Sequence, residues 1–378
     1  MRIAFFTDTY LPNIDGIVYS IINFRRELEK RGNKVFIFSS GKKEVDDSAV
    51  FFYRSVPFAP YPQYKIALFP FSAKREVAKK EVKLIHSHGF ASMGIASIKV
   101  AHDLKLPLVG TFHTLAPQAV HLVASKRWSR KIASQLAWRA VKEFYKPFDV
   151  VTTPTDTIKN LLEEHGIKNV VTVPNGVDVD RFSDSLDKTV ARKLLRIPEE
   201  ERIVLIAGRL SEEKNVDAII RAAKKLLKKA NVRFVVTGEG PAKEKYKRLV
   251  VHDGLSKNFV FTGFVHDYEL PFFYGGADLL VTASTFETQG MTIVEAMACG
   301  TPVVGADSLA IPETVSDGRN GFLFKPFDEE DCAEKMLKVL SLPEEERRRM
   351  AAECVNTARG YTISKCTDRL LEVYKLVL

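Results

Sequence analysis

The chain has 378 residues, 46% of them hydrophobic and 27% charged, with a formal net charge of +9. That length exceeds one typical domain and predicts two, in a soluble globular protein able to bury real cores. No apolar run approaches the roughly 18 residues that span a bilayer, the N-terminus turns polar too soon for a signal-peptide core, and the positive charge asks for an anionic partner.

In chain order, residues 3–6 form an apolar run ending at Thr7-Asp8 and predict a buried first strand. A loop over 9–16 precedes an amphipathic helix over 17–30, with Ile21, Ile22, Phe24 and Leu28 on one side and Arg31-Gly32-Asn33 as its stop. Strands at 35–38, 50–53, 84–87, 106–111, 150–153 and 170–173 follow, with helices at 73–80, 93–104 and about 123–145. Strands separated by helices imply a parallel sheet covered on both faces, with ligands bound beyond the carboxyl ends of the strands. The loops at such ends are 9–16, His88-Gly89, His113-Thr114 and Pro174-Asn175-Gly176.

After Gly176 the pattern starts afresh. Strands at 203–207, 234–237, 259–262, 279–282, 302–305 and 321–324, with helices at 216–227, 242–251 and 331–340 between them, predict a second doubly wound domain. Two such domains leave a cleft, a common place for a ligand. The last segment, 363–378, carries Leu370, Leu371, Tyr374, Val377 and Leu378 on one helical face, which packing on the first domain would cover. The expected domains are therefore 1–175 with 361–378, and 176–360. Cys299, Cys332, Cys354 and Cys366 show neither CxxC pairing nor histidines at ligand spacing, so they read as reduced core residues rather than a zinc site or a disulfide framework.

The stretch with the most chemistry is Glu287-Thr288-Gln289-Gly290-Met291-Thr292-Ile293-Val294-Glu295. Two carboxylates flank a glycine where a strand over 278–284 gives way to a helix over 293–299. The first amides of such a helix lack intrahelical acceptors and favour anions, and Gly290 leaves the backbone open. A molecule that is anionic in one part and hydroxyl-rich in others, such as a sugar nucleotide, suits this setting. Taken alone, the pair also fits a helix-capping Glu287 and a solvated Glu295.

The chain as a whole resembles the retaining, sugar-nucleotide-dependent glycosyltransferases of the GT-B architecture, specifically glycosyltransferase family 4. The resemblance rests on Gly16 in Pro12-Asn13-Ile14-Asp15-Gly16, Ile85-His86-Ser87-His88, Thr111-Phe112-His113-Thr114 and Val173-Pro174-Asn175-Gly176-Val177-Asp178. It continues through Gly208-Arg209-Leu210-Ser211-Glu212-Glu213-Lys214, Gly238-Glu239-Gly240-Pro241, Phe261-Thr262-Gly263-Phe264-Val265 and the Glu287 to Glu295 element. It implies an α/β chain of two Rossmann-like doubly wound domains facing a central cleft. It also implies roles: Arg209 and Lys214 on the donor diphosphate, Glu295 on the ribose hydroxyls and Glu287 on the donor sugar. Gln289, Gly290, Met291 and Thr292 would line the sugar and phosphates, and Val265 would contact the base. From the first domain Gly16 would close on the phosphate, and His113 would stand near the anomeric centre. Of the other two histidines, one is expected to pack in the sheet, and His88 to face the cleft. No metal or other cofactor is expected.

Gln289, where many relatives carry an aromatic residue, and the opening Phe6-Thr7-Asp8-Thr9-Tyr10-Leu11-Pro12 are similar to the lipid-directed branch, such as diacylglycerol glucosyltransferases. That implies UDP-glucose as donor and a membrane lipid as acceptor; a soluble or polysaccharide acceptor remains open. The segment 123–146, with Lys126, Arg127, Trp128, Arg130, Lys131 and Trp138, and with Ile132, Leu136 and Phe144 as apolar surface, suits an anionic membrane. It equally suits a domain helix with solvated lysines. The location expected is cytoplasmic, peripheral on the inner face of the cell membrane. Nucleic acid is not expected as a partner, since basic residues do not alternate with aromatics along a strand. A non-catalytic nucleotide-sugar sensor is the rival reading. Donor base, sugar and oligomeric state are left open.

Overall fold

Runs of Val, Ile, Leu and Phe too short for helices and apolar on both faces become the buried strands of two parallel sheets. The computed structural model describes residues 1–13, 15–41, 45–58, 61–68, 70–115 and 127–378. They divide into two compact units, Met1–Gly176 with Ile363–Leu378, and Val177–Thr362.

The first unit holds strands β1 (Arg2–Thr7), β2 (Lys34–Ser40), β3 (Val50–Tyr53), β4 (Ser55–Phe58), β5 (Tyr61–Ala67), β6 (Leu84–Ser87), β7 (Leu108–Thr111), β8 (Val150–Thr153) and β9 (Val170–Thr172). Seven of them form one parallel sheet in the order β3-β2-β1-β6-β7-β8-β9. β4 and β5 form a separate antiparallel pair, which the period of the sequence does not announce. β7 begins at Leu108 rather than 106. Lys105 is left-handed at φ 52°, and the Leu106 amide still bonds the Ala101 carbonyl, closing the preceding helix Ser92–Leu104.

The C-terminal helix Ile363–Val377 belongs to this unit and buries Ile363, Cys366, Leu370, Val373 and Tyr374. Its inner residues share a core with Ile3, Phe5, Val18, Ile21 and Val109. Full burial of a side chain such as Leu370 or Val373 stabilises by about 1.5–3 kcal/mol. The covered face is rotated from the expected one: Val373 is inside and Leu378 is exposed.

The second unit holds β10 (Arg202–Ala207), β11 (Val232–Thr237), β12 (Phe259–Gly263), β13 (Leu279–Thr282), β14 (Val303–Ala306) and β15 (Gly321–Phe324). All pair in parallel, in the order β12-β11-β10-β13-β14-β15. The helices Leu270–Gly276 and Glu344–Ala358 go beyond the expected set. The second opens on six charged residues and buries only Met350, Cys354 and Ala358, so its apolar period is faint.

In each sheet the direction of winding reverses once, between β1 and β6 and between β10 and β13. Such a reversal is where, as a rule, the crossovers of a doubly wound sheet part and ligands bind beyond the carboxyl ends of the strands. All four cysteines are buried and free. Among the described residues no helix is long and apolar enough to cross a membrane, and no cluster of three or more His, Cys, Asp or Glu could hold a metal.

Candidate functional site

The second unit gathers its chemistry at the switch point between β10 and β13. The chain leaves β10 through Gly208, at φ 121°, and β11 through Gly238, at φ 118°. A Cβ on Gly238 would stand 2.0 Å from the Gly208 carbonyl oxygen, and one on Gly240 would stand 2.2 Å from that of Leu210. The two turns thus lie backbone against backbone, which only glycine allows. The Leu210 amide completes the join by donating to the Glu239 carbonyl at 2.9 Å. Arg209 projects from this turn, exposed and without an ion-pair partner among the described residues.

A short helical turn, Glu212–Lys214, follows. Its carboxylates are engaged elsewhere, Glu212 with Lys245 at 2.9 Å and Glu213 with the Ser211 hydroxyl at 2.5 Å. Lys214 instead reaches the loop after β13, where its Nζ donates to Glu287 Oε1 at 2.5 Å. Burial raises the Glu287 pKa, but the Lys214 charge and hydrogen bonds from Lys214 and Ser284 outweigh it and hold the carboxyl below its usual range. Glu287 is therefore a carboxylate with a half-buried cation beside it, not a helix cap.

Asn215 ties the same two loops together, and no local pattern in the sequence singles it out. It sits in the left-handed region at φ 48°, with its Nδ2 within 3.2 Å of both the Ala283 carbonyl and Thr285 Oγ1.

Gly290 caps the helix Met291–Ala298 with φ 79°. A side chain there would be strained and would meet Ile293 Cδ1 at 2.9 Å, so the backbone itself requires glycine. The amides of Met291 and Thr292 have no hydrogen-bond acceptor among the described residues. Gly208 lies close by, its Cβ position 3.7 Å from Thr292 Cγ2. Gln289 is buried. One turn into the helix, Glu295 Oε2 accepts from the Tyr274 hydroxyl at 2.8 Å. Burial pushes this carboxyl up to about 7, with Tyr274 and Arg181 pulling it back down and Asp267 adding to the rise. Val265 lies apart, after Gly263 at the end of β12, half-buried against the core beside an exposed Phe264.

In the first unit Gly16 opens the helix Gly16–Lys30. Asp15 caps it, accepting from the amides of Ile17 and Val18 at 2.9 Å each, and no atom comes within 4 Å of a Cβ on Gly16. Asp8, just after β1, stands in the opening motif, which implied no role for it. It accepts from the Ala91 and Met93 amides at 2.8 Å and so holds the turn between β6 and its helix. Gly89 lies against it: a Cβ would fall 2.4 Å from Asp8 Oδ2. His113 follows β7 and is half-buried, its Nε2 2.9 Å from His88 Nδ1. His86 packs inside the sheet and His88 is buried beneath His113.

The basic segment is two-sided. Lys126 lies outside the described residues; Arg127, Trp128 and Arg130 occupy the first turn of the helix Arg127–Tyr145, and Lys131 follows, exposed. Ile132 and Leu136 are 49% and 60% exposed. Trp138 does not join that surface: it is buried, its ring stacked 3.8 Å from that of His165. Phe144 likewise turns inward onto Phe90 and Phe148.

A family model described as Glycosyltransferase Family 4 matches residues 14–181, and one described as Glycosyl transferases group 1 matches residues 187–354. The chain is 33% identical over 354 residues to an alpha-monoglucosyldiacylglycerol synthase of Streptococcus pneumoniae, across 90% of this chain and 78% of that one. It is 29% identical over 362 residues to a protein of the same description from Acholeplasma laidlawii, across 91% and 89%. A solved structure of Anabaena HepE in complex with UDP and glucose is similar in fold, with a TM-score of 0.79 at 20% identity over the whole of both chains.

Proposed function

The chain belongs to glycosyltransferase family 4 and has the two Rossmann-like domains of the GT-B fold; on that premise we propose that it transfers glucose from UDP-glucose to a hydroxyl of a membrane glycerolipid, with retention of configuration. The observation that carries the donor half of this reading is the meeting of Lys214, Glu287 and the open Met291 and Thr292 amides at one switch point.

Arg209, Lys214 and the helix amides take the diphosphate, and their charge stabilises it as it leaves, without a metal. Lys214 then serves both the diphosphate and Glu287, whose carboxylate accepts from the sugar hydroxyls. Gln289 and Gly290 line the sugar, and Glu295 accepts the ribose hydroxyls. β12 is two strands from β10, about 10 Å along the sheet, a distance a nucleoside covers with its base at Val265. The bond from the anomeric carbon to the β-phosphate oxygen breaks and a bond to the acceptor oxygen forms on the same face. The departing UDP takes the acceptor proton, so no protein base is required. Gly16 and His113, to which the resemblance gives the phosphate and the reacting carbon, stand in the first unit, at the start of the helix Gly16–Lys30 and after β7.

The lipid acceptor is supported by the two relatives described as alpha-monoglucosyldiacylglycerol synthases and by the exposed Lys131, Ile132 and Leu136. Arg127, Trp128, Arg130 and, before them, Lys126 add basic and aromatic residues to the same stretch of sequence. Docking on the inner face of the membrane would bring the enzyme to its acceptor.

The test is mass spectrometry of purified protein with UDP- and GDP-sugars and diacylglycerol in anionic vesicles, with and without a chelator. Glucosylated lipid and free UDP, unchanged by the chelator, are expected. Preference for another donor, or turnover only with soluble acceptors, would sink the corresponding half of the reading.

A further inference from the structure

His86, His88 and His113 form one row at the carboxyl ends of β6 and β7, with ring centroids 4.1 Å and 5.3 Å apart. His86 is fully satisfied. Its Nδ1 is 2.7 Å from the Tyr374 hydroxyl and its Nε2 is 2.7 Å from Thr111 Oγ1, which in turn is 2.7 Å from Thr152 Oγ1. His88 is not. Its Nδ1 meets His113 Nε2 at 2.9 Å, but its own Nε2 is buried without a hydrogen-bond partner among the described residues.

Burial holds all three rings below their ordinary titration range, so near neutral pH each carries one proton. Two neutral imidazoles can share one hydrogen bond in only two ways. Were His113 to donate from Nε2, the single proton of His88 would have to sit on its Nε2, as a buried N–H with no acceptor. Orphaned buried donors of that kind are rare and costly. With the proton on His88 Nδ1, the unpartnered nitrogen is only a lone pair near the rings of Phe5 and His86.

We propose that His88 is a positioning residue: it donates from Nδ1 to His113 Nε2 and thereby fixes His113 as the Nδ1–H tautomer. The Nε2 lone pair of His113 is then already occupied. His113 presents a hydrogen-bond donor to its surroundings and has no free lone pair with which to take the acceptor's proton. This rests on the transferase reading above and deepens it, because it assigns that proton to the leaving diphosphate rather than to the only histidine implicated in the chemistry.

The experiment is long-range proton–nitrogen NMR on the full-length protein labelled with 15N-histidine, near neutral pH, with signals assigned by their loss in His88→Asn and His113→Gln. His113 is expected to show a protonated Nδ1 and an unprotonated Nε2; a proton on His113 Nε2 overturns the proposal. In kinetics, His88→Leu, which cannot donate, should lower kcat by about ten- to a hundredfold while changing KM for UDP-glucose far less. His88→Asn, whose amide nitrogen can stand in for Nδ1, should recover most of that loss. Equal losses in the Leu and Asn variants would reduce His88 to a packing residue and overturn the proposal. The tautomer is read independently of turnover, so full activity in His113→Ala would remove His113 from the reaction without altering the NMR result.

Discussion

Lys214 Nζ and Glu287 Oε1 lie 2.5 Å apart although 73 residues separate them in sequence. The contact joins the loop after β10 to the loop after β13, the two sides of the second sheet's switch point. Their side chains are 31% and 15% exposed, so neither charge is fully screened by water.

Lys214→Ala and Glu287→Ala should each lower kcat/KM by about a hundredfold or more, since each removes a group placed against charge or hydroxyls of the donor. Each should also lose about 1–3 kcal/mol of stability, because the survivor is left without its partner. The double variant Lys214→Met with Glu287→Leu should recover the melting temperature but not turnover. Paired melting and steady-state measurements check this; near-normal turnover in both folded single variants would remove the pair from the site.

Glu295 should make nucleotide binding depend on pH. With its carboxyl pushed up to about 7, it becomes a pure acceptor for ribose hydroxyls only above that value. Calorimetry should find UDP bound about tenfold more tightly at pH 8 than at pH 6. Stability runs the other way. The unfolded chain loses this proton near 4.5 and the folded one near 7, so this residue's contribution falls as pH rises between the two. Glu295→Gln should flatten both slopes, and an unchanged slope in that variant would point to another group.

Asn215 combines an unusual backbone with a tether, and two substitutions separate them. Asn215→Ala keeps neither, and a Cβ at φ 48° without the side-chain bonds costs about 1–2 kcal/mol. Asn215→Gly suits the backbone but also loses the bonds to Ala283 and Thr285. The Ala variant should melt lower than the Gly variant, while both raise KM for the donor to a similar degree. A Gly variant with wild-type KM would mean that the tether does not hold the Glu287 loop.

The exposed face of the helix Arg127–Tyr145 should bind anionic vesicles. Lys131→Glu with Leu136→Ser should cut co-sedimentation with phosphatidylglycerol vesicles severalfold and leave slow hydrolysis of UDP-glucose unchanged. Equal sedimentation of the native protein with neutral and anionic vesicles would count against membrane docking. Trp138→Phe should instead act on stability, because its ring packs inside the unit against His165.

Much of this architecture was legible because its signals are local. The apolar runs that became β1, β6, β8 and β13 are too short for helices, and glycine turns punctuate them. The same reading placed Glu287 and Glu295 around a strand-to-helix turn. It missed the β4–β5 pair and the helix Glu344–Ala358, whose weak or mixed periods carry little information. It also gave Trp138 and Phe144 to the outer face, since an amphipathic helix does not say which of its aromatic residues point inward.

By itself the sequence determined most of the strand segments, the glycine turn between Glu287 and Glu295, and which residues carry charge at strand ends. Only the tertiary structure decided what those residues meet. Strand order brings β13 beside β10 and so brings Glu287 to Lys214; it brings β7 beside β6 and so brings His113 to His88. The returning C-terminal helix places Tyr374 on His86 from 288 residues away. Such pairings follow from how sheets wind and close, which no local period records. They also decide protonation: Glu295 reaches about 7 and the histidines fall below their usual range because folding removes the water around them.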